Sequence, residues 1–225
     1  MVNVPRVAIV TGASGCFGGA IARRLAVDAA TVLVSYRSNR DAADTVVDAI
    51  VAAGGIATSY QADVTRPAEV RGMFDAAEQR YGAVDVVVNA ARMHLGANLL
   101  DIGLDEFDRL SRTNIRGAFL VSQHASHRVR RGGAIVNLIS STHGPTPAAL
   151  DTAVRAITEG MAGELAGRDI TLNAIVCPPA RHANTTATGQ PLTEAVAQLA
   201  GATRWVTGQV ISVQGSAAHP SDEEH

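Results

Sequence analysis

A chain of 225 residues, 47% hydrophobic and 18% charged, is the size of one α/β domain able to bury its own core, and this composition excludes a disordered polymer. A formal net charge of -2 gives no electrostatic basis for holding nucleic acid or an anionic membrane surface, and no apolar run approaches the roughly 18 residues that span a bilayer. All 19 basic residues are arginines, so no chemical step here can use a lysine ammonium.

In chain order, Val7 to Val10 predicts a first strand, too close to the N-terminus to leave room for a signal peptide. A glycine-rich turn follows, then a helix over 20–26. Val32 to Tyr36 predicts a second buried strand, and 41–53 a helix stopped by Gly54-Gly55. Ala57 to Ala62 reads as a third strand, with Pro67 opening the next helix in its first turn. Val84 to Asn89 is an unbroken Val-rich run of the kind buried on both faces of a parallel sheet. A long helical stretch runs from Asp105 through Ser122 and beyond, and Ala134 to Ile139 is a fifth strand. Thr146-Pro147 reads as the cap and first turn of a helix reaching Gly167, followed by strands over 170–176 and 209–213. Strands alternating with helices predict one parallel sheet of about seven strands, covered on both faces. Cys16 and Cys177, far apart and outside any CxxC spacing, read as reduced thiols of a cytoplasmic protein.

The turn after the first strand reads Thr11-Gly12-Ala13-Ser14-Gly15-Cys16-Phe17-Gly18. Between a strand and a helix, such a turn sets backbone N–H groups and a helix N-terminus against a pyrophosphate, where side chains would obstruct approach. Further along stand Tyr36-Arg37-Ser38-Asn39, Ala62-Asp63-Val64, Asn89-Ala90-Ala91, Thr113-Asn114-Ile115 and the run from Thr207 to Val213. In this order and spacing the chain resembles the short-chain dehydrogenase/reductase family over nearly its whole length. The resemblance implies a single Rossmann-type, doubly wound domain over 1–217, with 218–225 a frayed tail. It also implies assembly as a homodimer or homotetramer around a small-molecule site, with no metal.

For the cofactor, the resemblance implies NADP(H). Gly12, Ser14, Gly15, Phe17 and Gly18 would take the pyrophosphate, and Arg37 with Ser38 would meet a 2′-phosphate, since no acidic residue stands there to hold a ribose hydroxyl. Asp63 and Val64 would flank the adenine, Asn89 would brace the central strand, and Ala91 would lie beside the cofactor. Cys16 stands where the family's compact TGxxxGxG pattern has glycine, but Gly12, Gly15 and Gly18 fit the TGxxGxxG spacing. Arg92 replaces the usual glycine of NNAG and has three readings: it binds a phosphate or carboxylate, fills the nicotinamide space, or points to solvent.

The family reduces carbonyls with a Ser, a Tyr, a Lys and an Asn, because hydride addition builds charge on oxygen that an acid must meet. Asn114 and Ser140 match the family's Asn and Ser, with Ser141 as a neighbouring option. Tyrosine occurs only at 36, 60 and 81, and no YxxxK exists. Asp151 with Arg155 falls in those two slots when one helical turn is deleted; without gaps the slots hold Pro147 and Asp151. At spacing i,i+4 the two can pair, either as a surface salt bridge or as a tuned acid/base carboxylate. His143 is a second acid/base candidate. Cys177-Pro178-Pro179 replaces the family's PG, and the segment to Trp205 is short, which predicts a truncated lid.

Three functions stay open. The first is a non-redox biosynthetic step (cyclisation, dehydration or isomerisation) in the former reductase cleft. The second is a divergent NADP(H)-dependent oxidoreductase acting on a carbonyl or hydroxyl. The third is a non-catalytic partner subunit.

Overall fold

A computed structural model describes residues 6–28, 30–93, 100–140, 145–177, 186–201 and 205–213, with backbone alone at 140, 145–148 and 186–189. Seven parallel strands form one sheet: β1 (Val7–Thr11), β2 (Thr31–Tyr36), β3 (Ala57–Gln61), β4 (Val84–Asn89), β5 (Val129–Ser140), β6 (Thr171–Cys177) and β7 (Val210–Ser212). Their order is β3-β2-β1-β4-β5-β6-β7, so the direction of winding reverses between β1 and β4. A crevice opens at such a reversal beyond the C-terminal ends of the strands. The expected doubly wound sheet is the observed one.

Period-two alternation divides each strand between two layers. Ala8 and Val10 of β1 and Val32 and Val34 of β2 face the layer of α1 (Cys16–Val27), α2 (Arg40–Ala52) and α7 (Thr186–Ala200). Ile9 and Leu33 face the opposite layer, made by α3 (Pro67–Tyr81), α5 (Gly117–Arg128) and α6 (Pro145–Leu165). Every residue of β1, β2, β4 and β6 is buried, which explains their unbroken apolar runs.

Three elements differ from the sequence expectation. β5 starts at Val129 rather than Ala134, because the polar stretch Arg130-Arg131-Gly132-Gly133 forms an irregularity: Val84 pairs Val129, yet Val86 pairs Ala134. The long helix is broken into α4 (Leu104–Ser111) and α5 by a π turn over Arg112–Arg116. Helix α7 was not foreseen. Its signal was the spacing Leu192, Val196, Leu199, all buried against α1 and the sheet, obscured by Pro191 within the helix.

Asp85 ties the base of the sheet. The residue is 7% exposed, and its carboxylate accepts from the Val7 amide at 2.8 Å and from Arg130 Nη2 at 2.6 Å. Replacing it leaves two donors without their acceptor. Asp85→Ala is expected to cost about 2–3 kcal/mol, seen as a urea midpoint lower by about 1 M with unchanged slope.

Arg24 joins α1 to α7 by donating two bonds to Glu194 at 2.8 and 2.9 Å, and it also pairs with Asp28 at 2.8 Å. The hydrogen bond from Arg24 holds the Glu194 carboxyl below the ordinary glutamate range. The folded chain thus holds this proton less tightly than the unfolded chain, so the contribution is present above the ordinary range and fades as pH falls through the lowered value. Melting temperatures of the wild type and Glu194→Gln are expected to converge as pH falls below the ordinary glutamate value of about 4.3.

Candidate functional site

A cleft of about 290 Å³ lies at the β1/β4 reversal. Gly12 leaves β1 at φ +62°, and a Cβ there would stand 2.7 Å from Ala91 Cα. At Gly18 a Cβ would meet Gly12 O at 2.5 Å and Ala13 Cα at 2.9 Å. Glycine is therefore required at both places by contact with backbone, and at Gly12 also by the left-handed conformation. Gly15 caps α1 without any side-chain bond to its first amides, which leaves that helix end available to an anion. Cys16 is the first residue of α1 and is exposed, so its side chain does not close the turn.

Of the eleven residues expected to hold the cofactor, ten line this cleft: Gly12, Ser14, Gly15, Phe17, Gly18, Arg37, Ser38, Asp63, Val64 and Ala91. Arg37 and Ser38 are exposed at the end of β2. Asp63 Oδ1 accepts from the Thr65 amide at 2.9 Å, which shapes the turn into α3. Val64 is buried, and a Cβ on Gly117 would come within 2.8 Å of Val64 Cγ2, so that glycine lets α5 approach the cleft. The eleventh residue, Asn89, is buried behind the cleft, where its Oδ1 accepts from Thr11 Oγ1 at 2.7 Å. Sequence reasoning missed Ala62, Ala90, Thr113 and Leu138, which also line the cleft. Three are small or apolar side chains that carry no chemical signal.

The segment after β4 is clamped twice. The Ala91 amide donates to Thr11 Oγ1 at 3.2 Å. Asn114, inside the π turn, accepts from the Met93 amide at 2.8 Å and donates from Nδ2 to the Met93 carbonyl at 2.9 Å. Its amide therefore holds backbone, with one lone pair and one N–H left over. Arg92, between the clamps, is half-buried and lines the cleft, which sets aside the reading that it points to solvent.

At the far end, Ser140 closes β5 directly beside Cys177 of β6 in the strand register. Burial pushes the Cys177 thiol up to about 11, with the Arg92 charge pulling it down and the Asp151 charge pushing it further up. Both charges thus act at the C-terminal end of β6. Asp151 and Arg155 are each half-buried on α6. Asn114, Asp151 and Arg155 are not among the described residues lining the cleft. Ser141, His143, Pro178 and Pro179 lie outside the described residues, and so does Pro147 apart from its backbone in α6. Among the described residues, no group of three or more His, Cys, Asp or Glu is placed to hold a metal, and no helix is long and apolar enough to cross a membrane.

Asn114→Ala removes both bonds to Met93. The variant is expected to lose about 2 kcal/mol of stability and to release the Met93 amide to fast hydrogen exchange, while Asn114→Asp, which keeps the acceptor, protects that amide.

The short chain dehydrogenase family matches residues 6–193. An uncharacterized oxidoreductase of Methylorubrum extorquens is 36% identical over 239 residues, covering 93% of this chain and 96% of the relative. The versicolorin reductase of Emericella nidulans is 36% identical over 181 residues, or 76% of this chain and 67% of that one. Among solved structures, a short chain dehydrogenase from Burkholderia cenocepacia in complex with NADP superposes with a TM-score of 0.85 at 30% identity, covering 94% of this chain and 98% of that one. The chain belongs to the short-chain dehydrogenase/reductase family.

Proposed function

We propose that this protein binds NADP(H) in the cleft and acts as an oxidoreductase on a carbonyl or hydroxyl group of a small biosynthetic metabolite. The observation that carries this reading is the continuous lining from the glycine turn to Arg37 and Ser38 on one side and to Arg92 and Leu138 on the other. The side-chain-free surface at Gly12 and Gly18 and the uncapped start of α1 fit a pyrophosphate. Arg37 and Ser38 would meet a 2′-phosphate, Asp63 and Val64 the adenine, and Ala91 the inner half, while Asn89 braces the strand. Support also comes from relatives named as reductases and from the NADP held by the Burkholderia protein. When bound, such a cofactor supplies or accepts a hydride.

The chain's own residues then have to position an oxygen and manage its charge. Ser140 would orient it from the end of β5, and Asn114 would act through its hold on Met93. Asp151 or His143 would move the proton, with Arg155 on the same helix as Asp151. The family's homodimeric or homotetrameric assembly is part of this reading, as is a cytoplasmic location.

A second reading is a non-redox cyclase, dehydratase or isomerase in the same cleft. It is favoured by one observation: Tyr36 lies on β2, Tyr60 on β3 and Tyr81 at the end of α3, and lysine is absent, so α6 offers neither phenol nor ammonium. The reductase relatives move the weight to the redox reading, although the sequence placed the non-redox step first.

Fluorescence titration with NADPH is expected to show saturable binding. Arg37→Ala should weaken NADPH about tenfold, the loss of one charge-assisted phosphate contact, and leave NADH nearly unaffected. Absence of NADPH binding to the wild type would overturn the redox reading, and turnover that continues without nicotinamide would establish the non-redox one.

A further inference from the structure

The cleft carries cations at two places, Arg37 after β2 and Arg92 after β4. Arg37 is accounted for by the proposed cofactor. Arg92 lines the other end of the same cleft with no cofactor group assigned to it, and its surroundings are well fixed. The residue before it is held by Thr11 on β1, and the residue after it by both ends of the Asn114 amide and, through Met93 Sδ, by Thr113 Oγ1 at 3.3 Å. Thr11 is itself anchored to Asn89. The backbone that presents Arg92 is thus set from two sides, and the half-buried residue lines the cleft together with Ala90, Ala91 and Leu138. One of its terminal nitrogens has no contact with solvent.

A guanidinium in such a place loses hydration that only an anion or several acceptors restore. Asp151 on α6 acts on the same thiol as Arg92 with the opposite sign, so one carboxylate of the chain is near this end. Five N–H donors let a guanidinium serve a carboxylate of its own chain and still present a face to a ligand. Because the charge never titrates in the working range, that face is an anion receptor at any ordinary pH.

We propose that Arg92 is a specificity-determining residue that binds a carboxylate carried by the substrate, at the inner end of the cleft beside the end of β5. A monoanionic, planar carboxylate matches one guanidinium in charge and geometry, whereas a phosphate dianion would leave excess negative charge half-buried. The inference rests on the reading above, in which the cofactor fills the cleft from the Arg37 end and the substrate meets it at the Arg92 end, and names the class of substrate: an oxo or hydroxy acid rather than a neutral ketone or alcohol.

The test is calorimetric titration of acetoacetate and of its neutral near-isostere acetoacetamide into the wild type, Arg92→Gln and Arg92→Lys, each with and without NADP+. Wild type is expected to bind acetoacetate about tenfold or more tightly than acetoacetamide. Arg92→Gln should lose that preference, and Arg92→Lys should keep part of it. Equal affinity for the two probes in the wild type, no acetoacetate binding up to about 10 mM, or a preference undiminished in Arg92→Gln each overturns the proposal. Far-UV circular dichroism shows whether Arg92→Gln is folded; if it is not, the wild-type contrast decides alone. Failure of NADP+ to bind sinks the redox reading while the carboxylate preference, measured without NADP+, still stands or falls separately.

Discussion

Three side chains in one row of the sheet, Thr11, Asn89 and Asn137, depend on each other across β1, β4 and β5. They are register partners, and all are buried. Thr11 donates to Asn89, Asn89 reaches Asn137 at 3.5 Å, and Asn137 donates to Ser122 on α5 and Thr158 on α6 at 3.1 and 3.3 Å. In a dry interior each of these groups is costly unless it is met. A one-residue slip of any strand would reverse its side chains and break the chain of bonds. The row therefore fixes the register at the level where the cleft begins, and the apolar layers above and below supply the cohesion. Since Thr11 also receives the Ala91 amide, the glycine turn and the segment after β4 are located by the same network.

The fold was legible because its strands are buried on both faces and read as plain apolar runs. So was most of the cleft: ten of the eleven expected residues line it, since glycines, Arg37 and Asp63 declare themselves by type and by place in the topology. What escaped was of two kinds. Ala62, Ala90 and Leu138 matter by where they stand, and no residue type announces that. The π turn and the bend at Arg130–Gly133 depend on tertiary bonding, to Met93 in the first case and to Asp85 in the second, and a local pattern does not record such partners. Asp151 and Arg155 stand four residues apart on α6, and the Asp151 charge also acts on Cys177 at the end of β6.

The charges around the cleft are arranged along its length rather than scattered. Arg37 stands exposed at one end, where a ligand group stays partly in water, and Arg92 stands half-buried at the other, where screening is weaker. Equal formal charges therefore have unequal reach. The inner one is felt by a buried thiol on a different strand. This asymmetry suits the proposed roles, Arg37 holding a ligand's tail and Arg92 discriminating at its reactive end.

The π turn over Arg112–Arg116 houses one residue more than an ordinary helical turn would in the same span. Were that surplus to be expelled, α4 would swivel relative to α5 by about 100°, one residue's worth of winding. Asn114 sits within the surplus turn, so the swivel would carry its amide off the Met93 backbone. The bonds from Asn114 thus tie the extra winding, and with it the α4–α5 junction, to the backbone that follows β4.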